Sequence, residues 1–432
     1  MAEIAWTPTV LKARDGTSQT AERGEISVVE DRSANTGCVR LRFVRIRATE
    51  PANAPPVVFL SGGPGESGIQ WASHGPFLRA FQRVARSVDL LLLDQRGTGS
   101  SDRDLTVSTP AFGKEDLVSK ESMLSALERH LAARIEEVQA VGRAYTAVDS
   151  CRDLVDLQDA LGVGQLSLWA YSYGTHLAQM ALKLHSKRIR RAVLCGFEGP
   201  NQTFKLPHNL DAQIARLDFF YPGLEDSLRS AFDRLERDPV DVDGVRFGAF
   251  AFRHLVANWC GLSNRFPRLP ALAESLAAGD PDVMRANLKD YARIWARPYS
   301  FYLADAASGA TKARWEEIRA QEPFSLLEDA TNFPFPEVGQ TVQAADIGDQ
   351  LRSPLKTDVP MLVLTGSLDG FTPTENAMEG MRTLKRAEHI LIENAAHNDL
   401  LGTDEGLEAI ARFLADGSLP TISTLVISPP PR

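Results

Sequence analysis

The stretch LSLWAYSYGTHLAQMAL, from Leu166 to Leu182, decides the fold. Its first six residues form an apolar run with aromatic character that is typical of a buried strand, and its second half has the apolar spacing of a helix. Ser172 stands at the junction. Ala170 and Gly174 leave room for a tight turn, so the pattern predicts a strand that passes directly into a helix. The Ser172 hydroxyl would then lie at the helix N-terminus, where free N–H groups favour negative charge.

Similar apolar runs on both sides of this stretch indicate a sheet. They are PVVFLSGG, VDLLLLDQRG, RAVLCGF, PMLVLTGS and EHILIEN, and helical patterns separate most of them. Continuous apolar runs are typical of strands buried on both faces of a parallel sheet. The alternation of strand and helix predicts an α/β fold with a mostly parallel, doubly wound sheet. Near the start, EISVVED and CVRLRFVRIRAT predict a hairpin of amphipathic strands.

One long interval, from about Gly199 to Asp358, breaks this alternation. It contains several helical patterns and no strong buried-strand run. A chain of 432 residues is long for one simple core. We therefore predict three segments: the first part of the core at 1–198, an inserted and mainly helical cap at 199–358, and the second part of the core at 359–432.

Composition and charge exclude several classes of partner. The net charge of −9 argues against nucleic acid and anionic membrane surfaces. No stretch approaches about 18 uninterrupted apolar residues, and the N-terminal residues lack the pattern of a signal peptide, so we expect a cytoplasmic protein. Four scattered cysteines without C-x-x-C spacing predict thiols rather than a metal or redox site. The sequence implies no metal and no organic cofactor, and it does not indicate an oligomeric state.

Ser172 is a candidate nucleophile. Ala-Tyr-Ser-Tyr-Gly is a near match to the G-x-S-x-G nucleophile elbow, in which a serine is exposed at a sharp strand-to-helix turn. A serine that caps a helix is the alternative explanation. A second loop, Ser-Gly-Gly-Pro-Gly at 61–65, directly follows a predicted strand. Its backbone N–H, together with that of Tyr173, could form an oxyanion hole, although a plain turn would have the same composition.

Asp369 and His397 complete a possible catalytic triad. Asp369 follows the strand PMLVLTG, and His397 follows the next strand, EHILIEN. A lone aspartate before glycine is often only a turn residue, and a lone histidine is often only a surface residue. However, Ser172, Asp369 and His397 have the chain order of the Ser–Asp–His triad of α/β-hydrolases. Each of the three stands at a strand end, where active sites of such sheets lie.

Five stretches together resemble one branch of the α/β-hydrolase superfamily. They are SGGPGESG, LLLDQRGTGSSD, AYSYGTHLA, TGSLDGFTP and ENAAHN. These resemble the proline iminopeptidases and tripeptidyl aminopeptidases. The chain departs from that pattern at Ser61, where many members have histidine, and at Ala170, where the elbow usually has glycine. From the N-terminal residues we do not expect the secretory leader that is frequent among tripeptidyl members.

The resemblance implies a role for each motif residue. Ser172 would attack an acyl carbon, His397 would accept and return the proton, and Asp369 would orient His397. The backbone N–H groups of Gly63 and Tyr173 would bind the oxyanion.

Several further residues receive structural or binding interpretations. Asp94, Arg96 and Ser100 of the DQRGTGSSD stretch would tie a strand end in place, and His176 would pack in the elbow helix. The resemblance suggests that Glu198, where the cap begins, binds a substrate α-amino group. A solvated loop glutamate and a substitute triad acid are the alternatives. The cap aromatics are interpreted mainly as core, although some could line an acyl pocket: Trp259, Tyr291, Trp295, Tyr299 and Tyr302.

The resulting hypothesis is a serine hydrolase of the α/β-hydrolase fold that acts on a small peptide or a small acyl substrate. We expect an aminopeptidase that cleaves N-terminal residues through an acyl-enzyme. The alternative is an esterase, amidase or lactonase with the same triad, because the cap sets specificity and its sequence does not reveal the substrate. A binding protein without activity is a third hypothesis, which an intact triad and glycine loop disfavour.

Overall fold

A ten-stranded sheet forms the centre of the molecule, in the order β1-β2-β3-β5-β4-β6-β7-β10-β11-β12. The computed structural model describes residues 4–431. The strands, including a separate pair β8 and β9, are β1 (Thr7–Lys12), β2 (Ser18–Asp31), β3 (Thr36–Ile46), β4 (Val57–Leu60), β5 (Leu90–Leu93), β6 (Leu166–Tyr171), β7 (Ile189–Cys195), β8 (Val240–Val242), β9 (Val245–Phe247), β10 (Met361–Gly366), β11 (Ala387–Glu393) and β12 (Thr424–Val426).

Helices lie on both faces of the sheet and above one edge. They are α1 (Gly75–Val84), α2 (Lys120–Leu131), α3 (Ile135–Val141), α4 (Ala147–Leu161), α5 (Tyr173–His185), α6 (Pro207–Phe220), α7 (Leu224–Arg237), α8 (Ala249–Trp259), α9 (Leu269–Ala277), α10 (Asp282–Ile294), α11 (Tyr299–Ser308), α12 (Lys312–Gln321), α13 (Phe335–Thr341), α14 (Asp349–Arg352), α15 (Thr374–Gly380) and α16 (Asp404–Ala415).

The pairing of the strands confirms the predicted α/β architecture. Strands β2 and β3 pair antiparallel, as predicted for the amphipathic hairpin. In addition, β1 pairs antiparallel with β2, and β3 pairs antiparallel with β5. From β5 onwards all neighbours are parallel. Strand β6 lies between β4 and β7, with Ala170 opposite Leu60 and Leu194. The carboxyl ends of these strands therefore meet at one edge of the sheet.

Burial explains why the apolar runs form the central strands. All residues of β4, β5, β6 and β10 are buried. Two separate apolar clusters cover the two faces of the sheet. On one face, the rings of Phe59, Phe81 and Trp169 pack edge-on, with centroids 4.9–5.5 Å apart. Because both faces of these strands are covered, apolar residues occupy successive positions and do not alternate with polar ones.

The chain between β7 and β10 forms a mainly helical region above the carboxyl edge of the sheet. It contains α6 to α14 and, in addition, the small hairpin of β8 and β9, which the sequence analysis did not predict. Asp243 and Gly244 connect the two strands with φ angles of 53° and 85°. Both angles are positive, as a tight two-residue hairpin turn requires, and Asp-Gly is a favoured pair for it.

A second chain segment packs with the cap. Apolar residues between Leu105 and Tyr145, on and around α2 and α3, share one cluster with the side chains of α6 to α11. The division at 198 and 358 remains a hypothesis about domains, and the packing adds the segment after β5 to the cap. No helix within residues 4–431 is long and apolar enough to cross a membrane. All four cysteines are free thiols; Cys38 is exposed and the others are buried.

Candidate active site

Ser172 lies in a strained turn between β6 and α5. Its φ and ψ angles are 55° and −130°, a combination that residues other than glycine rarely adopt. The Ser172 N–H donates to the carbonyl of Cys195 on β7, at 2.9 Å, and its carbonyl accepts from the Thr175 N–H, at 2.7 Å. These bonds hold the turn to the neighbouring strand and to the first turn of the helix.

Two glycines make this turn possible. A Cβ placed on Gly174 would lie 2.2 Å from the Leu60 carbonyl oxygen, and one placed on Gly62 would lie 2.7 Å from the Cβ of Ser172. Both distances are shorter than real Cβ contacts. The elbow and the glycine loop therefore pack directly against each other. The elbow motif predicts the small residue at Gly174, whereas the contact between Gly62 and Ser172 joins residues far apart in the chain, which no motif indicates.

The two predicted oxyanion donors are backbone amides of this same region. Gly63 has a φ of 106° in the loop after β4, and Tyr173 is the first residue of α5. Within residues 4–431, neither amide N–H has a hydrogen-bond acceptor. The Ser61 hydroxyl donates to the Glu66 carbonyl at 2.7 Å and closes the loop. Free N–H groups at a helix N-terminus and in a fixed loop can receive a negative oxygen.

Asp369 and His397 form a buried hydrogen-bonded pair. Asp369 Oδ2 lies 2.7 Å from His397 Nδ1. Asp369 Oδ1 accepts the N–H groups of Phe371 and Thr372 at 2.8 and 2.9 Å, and the Thr372 hydroxyl donates to Oδ2 at 2.7 Å. The carboxylate is fully buried and is held in one orientation by these donors.

His397 and Ser172 both lie against the end of β7. A Cβ on Gly196 would lie 3.1 Å from His397 Cε1, and the Ser172 N–H is bonded to the preceding residue, Cys195. The hydroxyl of Tyr171 donates to the His397 carbonyl. In the described part of the chain, no hydrogen bond joins the Ser172 hydroxyl to His397. Such bonds often tighten only when substrate binds.

Glu198 is largely buried beside the elbow helix. Its N–H donates to the Thr175 hydroxyl at 2.8 Å, and its carbonyl accepts from the Gln179 amide at 2.8 Å. The side-chain oxygen Oε1 is buried and has no hydrogen-bond partner among the described residues. Burial raises the pKa of Glu198 to about 7, against the opposing effect of the Lys205 charge. Glu198 is therefore no solvated loop residue, and His397 Nδ1 faces Asp369 instead of Glu198.

Asp305 is a second buried carboxyl group near the Ser172 elbow, and no sequence motif indicates it. It lies on α11 in the cap. Burial and the neighbouring Glu198 charge raise the pKa of Asp305 well above its usual range. Burial also raises the pKa of Tyr173, and the charges of Asp305 and Glu198 add to that effect. The two carboxyl groups therefore lie close to each other and to the residue that follows Ser172.

Helix α11 packs against the glycine loop at 61–65. A Cβ on Gly65 would lie 2.8 Å from Pro298 Cγ and 3.0 Å from Ser300 Oγ. The start of α11 thus contacts the 61–65 loop, and its last turn carries Asp305. The cap and the predicted oxyanion loop are in direct contact.

The remaining motif residues have structural contacts. His176 is buried, stacks on Tyr173, and its pKa is lowered to about 4 by burial, as expected of a packing residue. Asp94 accepts from Ser67, Ile69 and Ser100. Arg96 pairs with Asp153 of α4 at 2.7 Å. Within residues 4–431, no cluster of three or more histidine, cysteine, aspartate or glutamate side chains could hold a metal ion.

Two family models match this chain. The one described as "alpha/beta hydrolase fold" matches residues 55–235, and the one described as "TAP-like protein" matches residues 339–425. The first range contains Ser172, and the second contains Asp369 and His397. The chain is an α/β hydrolase. The predicted fold and family of this α/β hydrolase are thereby confirmed.

Curated relatives of this α/β hydrolase include peptidases. It is 26% identical to the tripeptidyl aminopeptidase of Streptomyces coelicolor over 201 residues, which are 44% of this chain and 35% of that relative. The match thus spans about a third of the relative's length.

Solved structures with a similar fold include hydrolases of several kinds. A thermophilic esterase from Thermogutta terrifontis has a TM-score of 0.43 and 15% identity, covering 90% of this chain and 97% of its own. A proline iminopeptidase-related protein from Thermus thermophilus has a TM-score of 0.40 and 18% identity, covering 91% and 98%.

Proposed function

We propose that this α/β hydrolase is a serine aminopeptidase that releases N-terminal residues from peptides through an acyl-enzyme. The observation that carries the proposal is the pair of buried carboxyl groups, Glu198 and Asp305, beside the Ser172 elbow. An esterase of neutral acyl groups gains nothing from two desolvated acids next to its acyl site, whereas a protonated α-amine offsets their burial.

Ser172 is the proposed nucleophile. Its Oγ attacks the carbonyl carbon of the scissile amide while its proton passes to Nε2 of His397. The Asp369 carboxylate, bonded to Nδ1 at 2.7 Å, fixes the tautomer that leaves Nε2 free and stabilises the imidazolium. The tetrahedral intermediate then expels the shortened peptide as an amine, which takes the proton from His397. Water then attacks the acyl-enzyme while its proton passes to His397. The acid is released, and His397 returns the proton to Ser172 Oγ.

The amides of Gly63 and Tyr173 are the proposed oxyanion hole. The negative charge develops on the former carbonyl oxygen, next to the N-terminus of α5. Loss of one such donor typically costs about 3–4 kcal/mol of transition-state stabilisation. The contact of Gly62 with Ser172 supports this geometry, because it keeps the loop within reach of the nucleophile.

Glu198 and Asp305 are the proposed binding groups for the substrate's α-ammonium group. The charge of Glu198 raises the pKa of Asp305, so Asp305 holds its proton more tightly than it would without that neighbour. An ammonium group placed between them favours the ionised forms. The Oε1 atom of Glu198, which has no partner within residues 4–431, is available for this contact. The likeness to a TAP-like family supports a peptide substrate.

A substrate panel tests the proposal. p-Nitroanilides of proline and alanine with a free α-amine are compared with their N-acetyl forms and with simple p-nitrophenyl esters. A buried charge-assisted bond contributes about 1.5–3 kcal/mol, so the free-amine forms are expected to be preferred about 10- to 150-fold in kcat/KM. Equal or better turnover of the acetylated forms and esters would instead support an esterase, amidase or lactonase. The absence of both turnover and serine labelling would support a binding protein.

A further inference from the structure

A cavity in the cap adjoins the proposed acyl site. Its wall combines aromatic side chains with two cationic ones, and the residues that matter here are Lys205, Trp295, Arg297, Phe301, Phe333 and Phe371. Phe371 connects the cavity to the catalytic region, because its ring lies 5.3 Å from the His397 ring. Phe371 therefore contacts both the cavity and the proposed catalytic histidine.

The two cations of this cavity lack carboxylate partners. Within residues 4–431, neither Lys205 Nζ nor the Arg297 guanidinium has a carboxylate oxygen within 4.0 Å. Two other cap cations are paired: Arg253 lies 2.6 Å from Glu236, and Arg314 lies 3.2 Å from Glu317. The Arg297 guanidinium instead lies over the Phe301 ring, 4.9 Å from its centroid. The charges of both cations oppose the rise in the pKa of Asp305, so the acids near the elbow are within electrostatic reach without forming an ion pair. A carboxylate ligand in the cavity would supply that direct partner.

Buried polar atoms on the same wall also lack partners. Trp295 Nε1 and Thr331 Oγ1 are buried without a hydrogen-bond partner in the described chain, and both residues line the cavity. Native proteins satisfy nearly all such groups, and exceptions commonly mark a site for an absent ligand or water. An indole N–H and a hydroxyl are donors, as are the lysine and arginine side chains. The wall therefore offers an excess of donors and positive charge.

We propose that the acyl group released by this enzyme carries a carboxylate, which Lys205 and Arg297 bind. The substrate class is a peptide whose released N-terminal residue is acidic. This inference rests on the proposed function, because the α-ammonium group and the side-chain carboxylate belong to the same bound residue. Its ammonium group lies at Glu198 and Asp305, and its side-chain carboxylate lies at the two cations.

The arrangement separates charge in a way that fits such a substrate. The acids lie beside the elbow helix and on α11, and the cations lie on the cavity wall above Phe371. Lys205 is close enough to lower the pKa of Glu198, so the two sets of charges are neighbours. A neutral amide side chain would leave both cations unpaired, and a basic side chain would be repelled by them.

The first test compares isosteric substrates. We expect kcat/KM for H-glutamyl p-nitroanilide, which has a free α-amine, to exceed that for H-glutaminyl p-nitroanilide by about 10- to 150-fold. Lys205→Met and Arg297→Met should each reduce this ratio, and the double variant should bring it close to one. Arg319→Gln serves as the control, because Arg319 is an exposed cap cation that stacks on Trp315 outside the cavity. It should leave the ratio unchanged.

A binding measurement separates this inference from the proposed function. Calorimetry of the Ser172→Ala protein with L-glutamate and with L-glutamine requires no turnover. Tighter binding of the glutamate form, lost in the Lys205→Met/Arg297→Met background, supports the inference even if no amide is cleaved. Equal binding, or a glutamine preference, overturns it and leaves the aminopeptidase proposal to the acetylation test. Cleavage of neutral substrates with a ratio near one likewise overturns only this inference.

Discussion

Asp369 Oδ2 lies 2.7 Å from His397 Nδ1, and the two residues come from loops that follow neighbouring parallel strands. The aspartate side chain has no exposed surface and accepts two backbone N–H groups and one hydroxyl besides the histidine. An imidazole held in this way has its second nitrogen free for proton transfer. The relationship assigns the orienting role to Asp369 in our proposal and leaves Glu198 for substrate binding.

Replacement of Asp369 tests that assignment. We expect Asp369→Asn to reduce kcat by about 10⁴-fold, because an amide at this position favours the wrong tautomer of His397. Glu198→Gln should affect an uncharged ester substrate far less. Steady-state kinetics of both variants on the same p-nitrophenyl ester provide the comparison. If the effects were reversed, Glu198 would be the acid of the triad.

Labelling tests the proposed nucleophile. A fluorophosphonate should add one label to the peptide that contains Ser172, and Ser172→Ala should abolish both labelling and turnover. The matched control is Ser167→Ala on the same strand, where the hydroxyl is buried and lacks a partner. That variant should label normally by mass spectrometry. A label that persists after Ser172→Ala would show that another residue reacts.

Gly62 should tolerate no side chain. In Gly62→Ala the new Cβ would come within 2.7 Å of Ser172 Cβ and 3.1 Å of the Tyr171 carbonyl oxygen. The displaced loop would misplace an oxyanion donor, so we expect kcat to fall by about 10²-fold or more. Gly164→Ala is the control, since nothing lies within 4 Å of its Cβ position. Equal kinetics of the two variants would refute the contact.

The preference for a free α-amine should depend on pH in a defined way. Glu198, with a pKa of about 7, is charged above that pH, and a peptide α-amine with a pKa of about 8 is protonated below its own. The ratio of kcat/KM for free and acetylated anilides should therefore be highest between about pH 7 and 8. Glu198→Gln should flatten the acid limb. A ratio that stays constant from pH 5 to 9 would contradict charge pairing.

Glu198 should also make stability fall as pH rises. Its pKa is about 7 in the folded protein against 4.5 as the ordinary value, so the folded state binds the proton more tightly. The stabilisation is present below pH 4.5 and is lost by the time pH exceeds 7. Glu198→Gln should consequently stabilise the protein at pH 8 by up to about 3 kcal/mol, and much less at pH 5.

Thermal melts at both pH values measure this difference. The control is Glu316→Gln, since Glu316 is an exposed cap glutamate that faces Lys312 on the same helix. A lower Tm of Glu198→Gln at pH 8 would show that the carboxylate stabilises the fold.

The sequence predicts the parts of the site that depend on strand ends. Ser172, Asp369 and His397 each follow a continuous apolar run, and the structure brings these three strand ends to one edge. Asp305 could not be predicted in this way. Helix α11 is buried around most of its circumference, with Ser300, Asp305 and Ser308 among its buried residues, so its sequence lacks a clear amphipathic period. The electrostatic effect of Glu198 on Asp305 links residues more than a hundred positions apart, which no local pattern indicates.

Because α2 and α3 share an apolar cluster with the cap, neither of these chain segments can be removed without exposing the other. An excised protein that joins β7 directly to β10 would retain Met123, Leu127 and Leu131, all fully buried against cap residues, on an uncovered surface. Such a truncation should aggregate rather than yield a smaller hydrolase. An engineered exchange of the cap must therefore replace both chain segments together. Recombination between relatives that exchanges the cap would likewise require the exchange of both segments.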